Sequence, residues 1–148
     1  MVIDMSLEEF LVQAKKNTYA SSNNYIDASR MKSKDLLYKQ DNYTYLDSYF
    51  GDSDFSGEEV VYREDVPIWS MNYIGRVTDE KFKSEVLKQA LQHVEVSMPY
   101  RGPRQFVMGE YTYVCDYNGD INWFTGEEKI LYKQLTVYEL RFHGGKII

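Results

Sequence analysis

Apolar residues recur at helical spacing in two stretches, and elsewhere they alternate with polar ones. In the first stretch Ser6 is placed as an N-cap, Glu9 three residues on completes a capping box, and Met5 can staple onto Phe10. The helix would bury Leu7, Phe10, Leu11 and Ala14 and turn Glu8, Lys15 and Lys16 to water. The polar run 20–33 that follows reads as a long connection. From Asp35 the period becomes two: strands are expected over 36–39, 43–50, 55–63 and 66–74, separated by turns at 40–42, 51–54 and Glu64-Asp65. Helical spacing returns over 78–94, with Phe82, Val86, Leu87, Ala90, Leu91 and Val94 on one face and Thr78 or Asp79 as cap. Pro99 and Gly102-Pro103 end that helix in a loop.

The rest of the chain repeats the first meander. Tyr111-Thr112-Tyr113 matches Tyr43-Thr44-Tyr45, Phe124-Thr125-Gly126-Glu127-Glu128 matches Phe55-Ser56-Gly57-Glu58-Glu59, and residues 138–144 match 69–75. Residues 6–77 and 78–148 thus read as two copies of a helix plus a four-stranded meander within one domain. Neither meander can bury its apolar face alone. The expected fold is α+β: two helices packed on a strongly curved antiparallel sheet of about eight strands, left open or closing toward a barrel.

Composition narrows the function classes. The 148 residues carry 17 Lys+Arg against 23 Asp+Glu, a formal charge of -6, which argues against a surface built to neutralise phosphates, so no direct nucleic-acid partner is expected. The 14 tyrosines within 16% aromatics point to a β-rich fold or an aromatic-lined surface. No apolar run approaches the roughly 18 residues of a membrane span, and no charged-then-apolar leader opens the chain. With one cysteine, Cys115, no internal disulfide can form, and a cytoplasmic location is expected. Cys115 has no neighbouring histidine and reads as a buried, inert thiol. His93 and His143 lack the helical partners of a ligand pair, so neither a metal nor a cofactor is expected.

Tight turns at Glu64-Asp65 and Lys133-Gln134 would set Val60 opposite Trp69, Glu59 opposite Ser70 and Glu128 opposite Glu139. One face then collects Trp69, Met71, Tyr73, Tyr138, Leu140 and Phe142 beneath the helices. The other carries Glu59, Ser70, Asn72, Glu128, Glu139 and Arg141 at one end, with Val61, Ile68, Ile130 and Val137 at the other. The repeated Gly-Glu-Glu is the feature most open to chemistry. Glu58, Glu59, Glu127 and Glu128 could act as acid and base or anchor a ligand, with Tyr43, Tyr45, Tyr111 and Tyr113 as stacking faces beside Trp69, Asn72 and Arg141. More often such glutamates are ladder residues. Arg101 and Arg104 flank a rigid Gly-Pro and could grip an anion, although such arginines more often pair with a protein's own acids.

The runs Tyr49-Phe50-Gly51, Phe55-Ser56-Gly57-Glu58-Glu59-Val60-Val61-Tyr62, Trp69-Ser70-Met71-Asn72-Tyr73-Ile74-Gly75, Pro99-Tyr100-Arg101-Gly102-Pro103 and Tyr138-Glu139-Leu140-Arg141-Phe142-His143-Gly144-Gly145 resemble a bacterial family of domains of unknown function. Its members occur free-standing or C-terminal to Xre-type helix-turn-helix regulators. The resemblance implies a sensor or interaction role and carries no catalytic residues to transfer. The leading expectation is a ligand-binding or protein-interaction domain with an aromatic and acidic cleft between its halves, its partner an unidentified small molecule or protein. A small hydrolase using paired glutamates and a structural homodimer or accessory subunit are the alternatives.

Overall fold

The computed structural model describes residues 5–19 and 24–148. Part of the expected 20–33 connection, residues 20–23, lies outside them. Helix α1 (Leu7–Tyr19) begins as the capping pattern requires, with the Glu9 amide donating to Ser6 Oγ at 3.1 Å. A two-residue strand β1 (Tyr25–Ile26) leads into β2 (Lys34–Gln40), β3 (Tyr43–Gly51), β4 (Asp54–Arg63) and β5 (Val66–Val77). Helix α2 (Ser84–Leu91) and a buried loop through Arg101 precede β6 (Gln105–Met108), β7 (Tyr111–Asp120), β8 (Trp123–Tyr132) and β9 (Leu135–Lys146). All are antiparallel in one sheet ordered β1-β2-β3-β4-β5-β9-β8-β7-β6, nine strands rather than the expected eight, with β1 the addition. The sheet does not close: β1 and β6 are its edges.

Both helices pack on one face, α1 against β2 and β3 and α2 against β7. That face carries Trp69, Met71, Tyr73, Tyr138, Leu140 and Phe142, all buried, as alternation required. Helix α2 is shorter than its apolar periodicity suggested, and its N-cap is Lys83, without a side-chain cap bond. Thr78 is unavailable for capping because β5 extends to Val77, so that the Thr78 amide and hydroxyl donate to the carbonyls of Val137 and Thr136.

The register differs from the one simple turn counting gives. The hairpins do close as expected, Arg63 opposite Val66 and Tyr132 opposite Leu135. Each then passes a β-bulge, between Val61 and Tyr62 and between Ile130 and Leu131, which places one extra residue, Ile68 or Val137, on the outgoing strand. Beyond the bulges Val61 opposes Trp69, Glu59 opposes Met71 and Glu128 opposes Leu140. One residue of shift exchanges the faces, so Glu59, Glu128, Val61 and Ile130 lie under the helices and not on the outer face.

Two glycines let large rings lie flat across the sheet. A Cβ on Gly57 would meet the Tyr73 ring at 2.6 Å, and one on Gly126 would meet Phe142 Cζ at 2.1 Å. Gly57→Ala and Gly126→Ala are each expected to cost about 1–3 kcal/mol in urea denaturation through overpacking. Wild-type stability in both variants would show that the rings do not rest there.

Candidate functional site

The shifted register brings a charged network together beneath the helices. Glu128, fully buried, accepts from Arg101 through both oxygens, Nη2 to Oε1 at 2.6 Å and Nε to Oε2 at 3.1 Å. The Tyr138 hydroxyl donates to Oε1 at 2.7 Å and the Tyr113 hydroxyl to Oε2. Tyr113 also accepts from the Gly102 amide at 2.9 Å, where a Cβ would strike its ring at 2.7 Å. The Gly-Pro turn after Arg101 is therefore pressed against β7, which explains why this loop is buried rather than presented to solvent.

On the other side of the centre, Lys15 Nζ donates to Glu59 Oε1 at 2.7 Å, both side chains having no exposure, and to the Tyr100 carbonyl. Lys15 was expected to face water. Its position four residues after Leu11 puts it on the buried stripe, the signal that its residue type obscured. Asp47 accepts from the Tyr73 hydroxyl at 2.6 Å and faces Glu59 across β3 and β4. The Arg101 guanidinium lies 5.5 Å from the Tyr73 ring centroid, joining the two ends.

Burial, and then the like charge of Glu59, raise Asp47 to about 7, with the Tyr73 hydrogen bond, Arg101 and Lys15 acting the other way. Burial pushes Lys15 down against the pull of Glu59. Burial and Glu128 hold the hydroxyls of Tyr113 and Tyr138 well above the ordinary tyrosine value, so both remain donors. Burial and Glu128 lift the Cys115 thiol to about 12, which fits the inert, buried cysteine read from the sequence.

The candidate residues are thus divided by the sheet. Tyr43, Tyr45, Glu59, Trp69, Tyr111, Tyr113 and Glu128 are buried under the helices, with Arg101 from the loop. Glu58, Asn72, Glu127 and Arg141 are on the outer face, so the two glutamates of each Gly-Glu-Glu lie on opposite sides of the sheet. Arg104 is exposed and pairs with Asp116 at 3.0 Å. Sequence reasoning missed Asp47 and Lys15; the signal for Asp47 is an acid continuing the Tyr43–Tyr45 alternation.

A cavity of about 610 Å³ opens on the outer face where β3, β4, β5 and β9 meet. Phe50 and Ile74 supply its apolar side chains, and Asp54, Arg76, Glu139 and Arg141 bring charge; Phe55 and Leu140 also border it, but their side chains turn to the helix face. A Cβ on Gly75 would meet Phe55 Cζ at 2.5 Å, so the absence of one lets the phenyl ring lie over β5 on the helix face, against Tyr73 and Tyr138. Arg76 donates to Glu139 through Nε at 2.8 Å and approaches it through Nη2 at 2.6 Å, bridging β5 to β9. The Arg76 hydrogen bond, with Arg141 and Lys129 adding to it, holds Glu139 below the usual carboxylate range. Of the candidate ligand-binding residues read from the sequence, Arg141 alone lines this cavity. Among the described residues no group of three or more His, Cys, Asp or Glu could hold a metal ion, and no helix is long and apolar enough to cross a membrane.

Two helices on one face of a single antiparallel sheet define an α+β domain. The chain belongs to the DUF5680 family, a domain of unknown function, whose model matches residues 47–147. No curated protein and no solved structure matches it.

Two measurements check the buried network. Lys15→Met leaves Glu59 without its nearest cation and is expected to cost about 3–5 kcal/mol, whereas Lys15→Met with Glu59→Leu costs less than the single change. Equal or greater loss in the double variant would contradict this pairing. Asp47 binds its proton more tightly folded than unfolded. Its contribution is therefore complete below the ordinary aspartate value of 3.8 and is lost as pH rises through about 7. Denaturation between about pH 5 and pH 8 should show wild type losing stability relative to Asp47→Asn as pH rises; parallel curves would place the proton elsewhere.

Proposed function

We propose that this domain is a ligand-binding, sensor-like module whose site is the cavity on the β5–β9 seam. The observation that carries the reading is the combination of apolar lining and charge in one open cavity of about 610 Å³, within the range of small-molecule sites. Of the residues expected to line a cleft, Glu59, Glu128, Tyr113 and Arg101 instead join the buried network, which supports the seam from behind. On this reading the network is structural and the outer face is the functional one. A domain that binds a small molecule suits the role of the segments that Xre-type regulators append.

The proposal includes internal duplication. Two-residue turns, the following bulges at Ile68 and Val137, the glycine–ring contacts at Gly57 and Gly126, and the buried ion pairs at Glu59 and Glu128 recur in 6–77 and 78–148. The cavity then lies where the halves join, a common place for a binding site in a duplicated fold.

Ile74 is 63% exposed and lines the cavity, so Ile74→Trp fills it without disturbing the core. A thermal-shift screen of diverse small molecules is expected to find one chemical class that stabilises wild type, by about 2.7 kcal/mol at a hundredfold excess over Kd, and fails with Ile74→Trp. A flat screen, or shifts that survive the tryptophan, would reject the site.

A further inference from the structure

The cavity's charges are not equivalent. Arg76 and Glu139 are satisfied by each other across β5 and β9. Arg141 and Asp54 also line the cavity, but neither side chain makes a hydrogen bond or ion pair among the described residues. They stand on opposite sides of the apolar floor. Arg141 is on β9 opposite Ile74, and Asp54 is on β4 opposite Arg76, which is itself opposite Glu139. Two strand spacings and two residues along the strand separate them, a Cα distance of about 12 Å. Arginine's long side chain can close much of that gap, leaving space for a ligand whose own opposite charges are a few ångströms apart. Between them Phe50 and Ile74 offer a surface for an apolar body.

Other charges in the neighbourhood shape the choice. Glu127 opposes Arg141 across β8 and β9, and Glu139 is two residues away on the same face, so the site is not a general anion trap. The lining is balanced, two cations against two acids, and one of each is already committed. What remains is one donor fork for a carboxylate and one acceptor for an ammonium.

Resting on the seam cavity as the binding site, we propose that it takes a small amphoteric molecule with a large apolar side chain, an apolar amino acid or dipeptide, its carboxylate on Arg141 and its ammonium on Asp54. The Arg76–Glu139 pair forms the cavity wall and does not exchange partners. Phe50 and Ile74 set the preference for apolar over polar side chains.

The test uses the full chain and three probes in calorimetric titration: leucyl-phenylalanine, its N-acetyl form without the ammonium, and its C-terminal amide without the carboxylate. The free dipeptide is expected to bind at least fivefold more tightly than either capped form. Asp54→Asn should weaken the free dipeptide and the amide but leave the N-acetyl form unchanged; Arg141→Gln should weaken the free dipeptide and the N-acetyl form but leave the amide unchanged. Both variants alter exposed side chains, and a wild-type circular dichroism spectrum and melting temperature confirm that they fold. Equal binding of all three probes, blocked by Ile74→Trp, would overturn the amphoteric class while leaving the cavity as the site. Binding that persists with Ile74→Trp would overturn both. No binding of any probe to wild type at millimolar concentration overturns the class, and the broader screen then decides the cavity.

Discussion

Two glutamates in the middle of an apolar sheet face constrain everything packed above them. A carboxylate removed from water is costly unless a cation and hydrogen-bond donors replace the solvent, and Glu59 and Glu128 have no exposure at all. Each therefore dictates a partner and the path of the segment carrying it. Lys15 fixes the rotation of α1 about its axis, and Arg101 draws the loop after α2 down until Gly102 touches the Tyr113 ring. Because Lys15 also donates to the Tyr100 carbonyl, the helix and loop are held to each other as well as to the sheet. The apolar contacts supply cohesion, and these ion pairs supply the single arrangement in which it is expressed.

The order of elements was legible in the sequence because it depends on local periodicity. The capping serine of α1, the alternating strands and the apolar face of α2 all follow from near neighbours. The register was not, since a bulge is a one-residue event after a turn whose own geometry is regular. Ile68 and Val137 look like ordinary strand residues, and only the paired chain shows that each is surplus. That single shift carried Glu59 and Glu128 from the outer face to the core. The outer cavity was hidden for a different reason: Arg76 and Glu139 are far apart in sequence and meet only through the β5–β9 ladder.

That ladder links the two regions of interest. Tyr73 and Tyr138 project from β5 and β9 into the buried network, while Ile74, Arg76, Glu139 and Arg141 project from the same strands toward the cavity. Consecutive residues on one strand thus serve opposite faces, one rigid and satisfied, the other open and partly unsatisfied. A side chain such as Tyr73 is positioned by Asp47 behind the sheet, and its strand neighbour Ile74 inherits that fixed backbone. Precise support behind an accessible surface is what a small binding site requires.

The central pairing also has a consequence for biosynthesis. In chain order β9 is the last of the nine strands, yet it is the only neighbour of β5 other than β4. As the polypeptide emerges, the first five strands can assemble into a meander, but the far edge of β5, bearing Trp69, Met71 and Tyr73 on its apolar face, must wait for residues 138–146. A waiting edge of that kind is a template for foreign strands as well as for its own. The nascent chain is therefore most exposed to mispairing between the completion of β5 and the arrival of β9, an interval set by translation speed rather than by the stability of the finished fold.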